Sequence, residues 1–327
     1  MKKSNWLFML ILILSTMITL SSNNWISMWV GLEINMMSFI PLILNKINKS
    51  SSEASMIYFL IQSMSSMVFM MMLLMIMCKY LITKKMIINL MTISISIKLG
   101  AAPFHMWLPK IMAKMEWMKC SILMTWQKIA PLFIMSNLSN STLMYIIIIM
   151  SVSVGSMVGL NQLSLRKMMA YSSINHLGWL IAINKSMNLW MLYLLIYSGM
   201  LIMMCYMLSN YKINFINQMS SINLSNMEKI TMFLMMLSIG GLPPFIGFLP
   251  KWITIQSLMH EQEFLLIFIM IMFSLVTLMY YLRVVTNMYL SFNSSIKWSL
   301  NYHHLFSTMM IMMINSSLPI IIIMDIL

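Results

Sequence analysis

Five ionisable side chains lie inside long apolar segments of this chain, where a charge is costly. Such a group is by default a candidate for function, because its burial away from water is otherwise strongly unfavourable. A lysine ammonium is suited to carrying protons, since it gains or loses a proton readily when it is desolvated or meets another charge. A carboxylate can supply that charge, and an imidazole titrates near neutral pH. These residue types predict a series of proton-exchanging stations, formed by Glu33, Lys98, Lys128, Lys251 and His176.

Each of these residues also has a plain structural interpretation. The lysines and Glu33 could instead extend to a membrane surface or form static ion pairs. His176 lies in a polar patch, residues 172–178, where a titrating imidazole and a hydrogen-bonded structural one fit equally well. His105 is expected to be structural, and Lys110 is expected to be solvated near a membrane surface.

The composition indicates that lipid surrounds these residues. Of the 327 residues, 61% are hydrophobic and only 8% are charged, and the mean hydropathy is +0.87. A soluble domain carries about 25% charged residues, so a soluble enzyme and a disordered chain are both excluded. The net charge of +13 comes from basic residues scattered singly, a pattern that does not indicate binding to nucleic acid.

The sequence offers no chemistry other than ion transfer. The three cysteines, Cys78, Cys120 and Cys205, are far apart, so a metal centre, an iron–sulfur cluster or a disulfide framework is not expected. The sequence has no P-loop, no GxGxxG segment and no arrangement typical of a catalytic triad. The 48 methionines and two arginines indicate the coding bias of an A/T-rich organelle genome rather than a requirement of packing.

Eleven apolar segments are long enough to cross a bilayer as helices, which takes about 20 residues each. The connections are short, so we predict one all-α polytopic transmembrane domain over residues 1–327. Apart from Lys98, Lys128 and Lys251, 13 basic residues are assigned to the N-terminal side and four to the other, which predicts an inside N-terminus and an outside C-terminus. The predicted spans are 4–21, 25–45, 56–78, 86–108, 117–137, 142–161, 167–184, 188–209, 229–259, 264–290 and 304–325.

Two segments match each other and interrupt predicted spans. Residues 100–110 and 241–251 share Gly, Pro, Phe and a closing Leu-Pro-Lys at identical offsets, 141 residues apart. Gly and Pro break a helix, and in lipid the freed backbone groups must find other partners. An odd number of spans separates the two copies, so they cross in opposite directions. Inverted repeats with interrupted helices are typical of ion and substrate transporters.

The motifs resemble those of the antiporter-like subunits of respiratory complex I, in their animal mitochondrial form. The resemblance covers essentially the whole chain, and the coding bias fits an invertebrate mitochondrial genome. Five motifs occur in the order found in that family, at residues 29–35, 98–109, 125–128, 170–179 and 240–252.

The resemblance implies two inverted five-helix repeats, over residues 4–137 and 142–290, and an additional C-terminal helix over residues 304–325. Bacterial members have fourteen spans and the animal form lacks the first three, which agrees with eleven spans and a matrix-facing N-terminus. By motif, the family's proton-path residues fall on Glu33, Lys98, Lys128, Lys251 and His176. Lys110 stands where relatives can carry an acid, which leaves its role open.

The function implied is proton translocation across the mitochondrial inner membrane, driven by electron transfer from NADH to ubiquinone elsewhere in the complex. The chain itself would carry no cofactor, since NAD, FMN, iron–sulfur clusters and ubiquinone would be bound by other subunits. Its partners would be lipid, the neighbouring antiporter-like subunit and the small membrane subunits nearer the quinone site. A stand-alone cation/proton antiporter of the same fold is the alternative, and a scaffold without ionic function is a third possibility.

Overall fold

The computed structural model describes residues 3–44, 48–78, 83–138, 142–221, 225–290 and 305–319. Within these ranges the regular secondary structure consists of fifteen α-helices and one 3-10 turn, with a single isolated β-bridge. The predicted all-α class is therefore confirmed. The helices are α1 (Lys3–Ser21), α2 (Trp25–Ile43), α3 (Lys49–Met77), α4 (Lys84–Leu99), α5 (Trp107–Lys114), α6 (Trp117–Met124), the 3-10 turn (Trp126–Lys128), α7 (Ile129–Ser136), α8 (Thr142–Leu160), α9 (Leu165–Ala182), α10 (Met187–Asn210), α11 (Ile216–Ser221), α12 (Asn226–Gly240), α13 (Phe248–His260), α14 (Phe264–Leu290) and α15 (Leu305–Asn315).

Five of the described helices are long and apolar enough to cross a membrane, namely α2, α3, α8, α10 and α14. Large apolar side chains cover their outward surfaces, for example Met64 and Met67 on α3 and Leu265 and Phe268 on α14. A row of exposed apolar groups of this kind is stable against lipid and not against water. The chain is thus a multi-pass membrane protein. Its last predicted span, 304–325, lies partly outside the described residues.

Helix α9 differs from its neighbours because it is buried on every side. All residues from 168 to 184 are buried, although the helix carries Ser, Asn and His side chains. Two glycines allow α8 to pack closely against it. A Cβ atom on Gly155 would lie 2.6 Å from the amide nitrogen of Asn175, and one on Gly178 would lie 2.6 Å from Oγ of Ser151.

The two matching Gly/Pro segments interrupt their helices in the same way. Helix α4 ends at Leu99, and Gly100 follows in the left-handed region with φ +72. The Gly100 amide donates to the carbonyl of Ile97 at 3.2 Å, and the Ala101 amide donates to that of Ser96 at 3.0 Å. This is a Schellman cap, which uses a residue with positive φ to satisfy the last carbonyls of a helix.

The second segment repeats this cap. Helix α12 ends at Gly240, and Gly241 has φ +80. The Gly241 amide donates to the carbonyl of Ser238 at 2.9 Å, and the Leu242 amide donates to that of Leu237 at 3.3 Å. In both segments a new helix, α5 or α13, begins seven residues after the left-handed glycine.

A third interruption divides the predicted span 117–137 into α6, a 3-10 turn and α7. Pro131 explains the break, because it has no amide hydrogen to donate to the carbonyl of Gln127 and its ring would contact that carbonyl. The turn ends at Lys128, immediately before α7 begins.

Contacts between helix ends define two faces of the bundle. On one face Lys114 pairs with Glu53, and Nη1 of Arg166 donates to the carbonyl of Met115 at 2.6 Å. We call this the basic face, because most described basic residues lie at the helix ends there. On the opposite face Tyr145 donates to Glu263 at 2.8 Å, and Lys185 pairs with Glu261. The predicted surface lysines Lys2, Lys46, Lys79 and Lys297 lie outside the described residues.

Candidate functional site

Glu33 and Lys98 form an ion pair between α2 and α4. Nζ of Lys98 lies 3.8 Å from Oε1 of Glu33, with the lysine side chain 3% exposed and the glutamate 22%. Within the described residues neither of these atoms makes a hydrogen bond. Lys98 also stands in the last turn of α4, where the helix dipole favours a cation. The ammonium is thus stabilised by charge and remains free to exchange a proton.

A network of neutral polar side chains surrounds this pair. Gln62 on α3 donates to the carbonyl of Lys98 at 3.2 Å, beside the first break. Tyr58 donates to Gln127 at 3.1 Å, and Gln127 donates to Asn35 at 3.0 Å. These bonds tie α2 and α3 to the 3-10 turn.

Lys98 and Lys128 both line one small cavity. Its volume is about 20 Å³, and the amide residues Asn35, Gln62 and Gln127 are also among its lining residues. A site of this size and polarity has room for about one water molecule. The first two lysines therefore share a cavity with room for a water molecule.

Lys128 is 2% exposed and lies at the junction of the two halves of the bundle. Its Nζ donates to the carbonyl of Ser173 on α9 at 3.0 Å and lies 5.4 Å from the ring centroid of Tyr197 on α10. A carbonyl and an aromatic face can both stabilise an ammonium without an opposite charge. Among the described residues, Lys128 forms no ion pair.

Lys251 on α13 is similarly enclosed, at 4% exposed. Its Nζ donates to the carbonyl of Gly240 at 2.7 Å and lies 5.8 Å from the ring of Trp179. The Gly240 carbonyl belongs to the last turn of α12, which the second break leaves without a helical partner. The lysine therefore serves the backbone as well as carrying a charge.

His176 lies on α9 between the two residues that these lysines contact, one turn after Ser173 and one turn before Trp179. It is buried, its Nδ1 is 2.8 Å from the hydroxyl of Tyr193, and its ring centroid is 4.4 Å from that of Tyr197. Both Lys128 and Lys251 are near enough to interact with the imidazole electrostatically. The three residues form one cluster walled by aromatic rings.

The structure thus divides the five predicted residues into two groups that meet at the small cavity. Glu33 and Lys98 form the first group, and Lys128, His176 and Lys251 the second. Lys110 is exposed, and His105 is buried with Nδ1 3.2 Å from the carbonyl of Pro103.

The aromatic walls of the second group were not predicted from the sequence. Tyr193 and Tyr197 are four residues apart and therefore share a face of α10, which is the one signal that could have suggested them. Gln62 is likewise a lone amide within a long apolar helix. Asn35 and Gln127 stand within the motifs at 29–35 and 125–128, but their contact joins segments far apart in the chain.

Comparison with known families assigns this arrangement to a class. Residues 22–278 match the transmembrane family described as NADH:quinone oxidoreductase/Mrp antiporter. The chain belongs to this family. The resemblance noted from the motifs is confirmed.

Relatives with similar sequences include two insect proteins. The chain is 43% identical to NADH-ubiquinone oxidoreductase chain 2 of Locusta migratoria over 284 residues, which cover 85% of this chain and 83% of the relative. It is 44% identical to the protein of the same name from Anopheles gambiae over 291 residues, 86% of this chain and 85% of the relative. Both matches extend over most of each chain.

Solved structures share the fold at low identity. A chain of respiratory complex I from Thermus thermophilus matches with a TM-score of 0.81 and 19% identity, over 94% of this chain and 75% of that one. A chain of the Mrp complex from Dietzia sp. matches with a TM-score of 0.78 and 14% identity, over 88% and 61%. These matches confirm the antiporter-like fold.

Proposed function

We propose that this chain is a core membrane subunit of a mitochondrial NADH:ubiquinone oxidoreductase and that it takes part in proton translocation across the inner membrane. The observation that carries the proposal is the enclosure of Lys128 and Lys251, each buried and held by a carbonyl and an aromatic face with His176 between them. Buried intramembrane amines of this kind mark ion pathways. The names of the insect relatives support the same assignment.

The geometry permits each lysine to change its protonation state without loss of structure. A protonated amine has three N–H donors, and a neutral one keeps two. Lys128 can therefore release a proton and still donate to the carbonyl of Ser173, and Lys251 can still donate to that of Gly240. Proton loss leaves neither carbonyl unpaired, which keeps the energetic cost of transfer low.

The order of stations follows from their contacts. Glu33 favours the charged form of Lys98, and a water in the small cavity connects Lys98 to Lys128. His176 then links Lys128 to Lys251. Protonation at one station repels a proton at the next, so charge shifts along the series without a redox group in this chain.

The two repeats predicted at 4–137 and 142–290, with the additional helix over 304–325, form part of the proposal. The identical caps at Gly100 and Gly241, and the resumption of a helix seven residues later, support it. Eleven crossings and a matrix-side N-terminus, with the C-terminus on the intermembrane-space side, are supported by the alternation of helix ends between the basic face and the opposite face.

We also propose that NAD, FMN, iron–sulfur clusters and ubiquinone are bound by other subunits of the complex. The partners would be the neighbouring antiporter-like subunit, the small membrane subunits nearer the quinone site, and lipid. Purification of the complex that contains this chain, with its mass and subunit composition, tests this assignment. Recovery of the chain alone, with cation-dependent proton flux in liposomes, would instead support the stand-alone antiporter that the family description also includes.

A substitution tests the proton path directly. In the assembled complex, Lys128→Ala is expected to lower the initial rate of NADH-driven proton uptake by a factor on the order of ten or more, as loss of a proton-transfer group does. Lys85→Ala on an exposed turn of α4 is the matched control, with pumping unchanged. Normal coupled pumping by the Lys128 variant would instead support the third possibility, a scaffold without ionic function.

A further inference from the structure

Tyr193, on α10, has a buried hydroxyl group that bonds directly to one of the predicted proton-path residues, His176. The side chain is fully enclosed, and its oxygen lies 2.8 Å from Nδ1 of His176. Within the described part of the chain no other hydrogen-bond partner occurs for this hydroxyl. Tyr197, one turn away on α10, lies against the imidazole with its ring, and the two ring centroids are 4.4 Å apart.

The chemistry of a hydroxyl suits both protonation states of the imidazole. A hydroxyl donates to an unprotonated ring nitrogen and accepts from a protonated one. A carbonyl can only accept, and the backbone carbonyl of Ile239 is the other polar group that faces this ring. Tyr193 is therefore the partner that allows Nδ1 to gain or lose a proton without an unpaired polar atom inside the protein.

Position gives this bond a role beyond packing. The imidazole stands between Lys128 and Lys251, with Tyr193 and Tyr197 facing it from α10. Ile239 belongs to the last turn of α12, immediately before the second break. A proton that reaches or leaves Nδ1 along the described residues has to pass the hydroxyl of Tyr193.

We propose that Tyr193 is a further proton-transfer residue of this subunit, whose hydroxyl delivers protons to Nδ1 of His176 and returns them. The inference rests on the proposed function. In the transfer, the O–H bond of the phenol breaks as an N–H bond forms at Nδ1, while the phenol oxygen takes a proton from water protonated on the Lys128 side. The phenol stays neutral, the imidazole gains one positive charge, and no electron moves. Return of the Nδ1 proton to the phenol oxygen, as the phenol gives its own proton to water on the Lys251 side, restores the starting state.

The test uses four forms of the assembled complex in liposomes: the native protein, Tyr193→Phe, His176→Ala and the double variant. Phenylalanine keeps the ring and removes only the hydroxyl. Tyr206→Phe on the same helix is the matched control, because that side chain is 39% exposed on the outer surface. The readouts are the initial rate of proton uptake and the number of protons taken up per NADH, both normalised to assembled complex.

Tyr193→Phe is expected to lower proton uptake about tenfold, the effect of losing a group that serves a catalytic side chain. In the His176→Ala background it is expected to add nothing, because the two residues act as one unit. Unchanged pumping in Tyr193→Phe overturns the inference, and so does an additive loss in the double variant, which indicates a structural role. Lys128→Ala is measured in parallel, so that a failure of the proposed function itself is seen as normal pumping in that variant.

Discussion

The two Gly/Pro breaks share one backbone geometry but use their lysines differently. At the first break the buried lysine, Lys98, precedes the glycine and pairs with Glu33, while neutral donors from Gln62 and Trp107 meet the freed carbonyls. At the second break the buried lysine, Lys251, follows the glycine and donates to the freed carbonyl itself. At the first break the lysine carries the charge, and neutral side chains bond the freed carbonyls. At the second break the lysine does both.

This difference teaches why a shared motif does not imply a shared role. Lys110 and Lys251 occupy the same position relative to Gly100 and Gly241, yet Lys110 is exposed and Lys251 is enclosed. In the position that corresponds to Lys98, the second copy has Ile239. Each break thus has one buried lysine, which precedes the glycine at the first break and follows it at the second.

The largest expected effect is that of substituting Lys251, which both carries a charge in the proposed path and donates to a backbone carbonyl. Both Lys251→Ala and Lys251→Gln should reduce NADH-driven proton uptake by a factor on the order of ten or more, since neither side chain titrates. Only the alanine should also destabilise the complex, by about 1–3 kcal/mol, because it leaves the Gly240 carbonyl unpaired. At the first break, Lys98→Ala and Lys98→Gln should match each other in stability. Thermal unfolding and proton uptake measure both quantities, and an equal loss of stability for the two alanine variants would contradict the comparison.

A second prediction concerns the glycines. Gly100→Ala and Gly241→Ala each place a Cβ in the left-handed region, at about 1–2 kcal/mol. At Gly241 the new Cβ would also lie 2.7 Å from Nζ of Lys251, whereas at Gly100 it would meet Leu108 and Trp107 side chains. We therefore expect similar losses of stability but a several-fold larger loss of proton uptake for Gly241→Ala. Gly199→Ala is the control, since no atom lies within 4 Å of its Cβ position. Equal pumping by the two break variants would show that the ammonium tolerates displacement.

The smallest expected effect is that of substituting Glu33, the acid that pairs with Lys98. Glu33→Gln removes the charge beside Lys98 but keeps a polar side chain of the same size. Because Nζ of Lys98 and Oε1 of Glu33 are 3.8 Å apart and share no hydrogen bond, the pair lacks the charge-assisted bond that makes such contacts strong, and we expect proton uptake to fall only about twofold to fivefold. Glu53→Gln, which removes the pairing of an exposed acid with Lys114 on the basic face, should leave uptake unchanged. A loss as large as that of Lys251→Gln would mean that the first group depends on its ion pair more than the geometry suggests.

The sequence was sufficient to locate the buried charged residues within the spans and the helices that carry them. Mid-span charges are rare, so Lys98, Lys128 and Lys251 could be selected by position alone, and the predicted span 264–290 has the bounds of α14. The division of the span 117–137 was missed, although Pro131 provides a local reason for it. The exposure of Lys110 and the aromatic walls around His176 depend on how helices pack around their axes, which no segment of sequence specifies by itself.

The enclosure of α9 also affects how this helix can enter the bilayer. A segment with His176 and several Ser and Asn side chains partitions into hydrocarbon less readily than the apolar helices around it. Its neighbour α8 is strongly apolar and contacts it through Gly155, at a separation that admits no larger side chain. We therefore expect α9 to enter the membrane together with α8 and to be retained there by the close packing of the two helices.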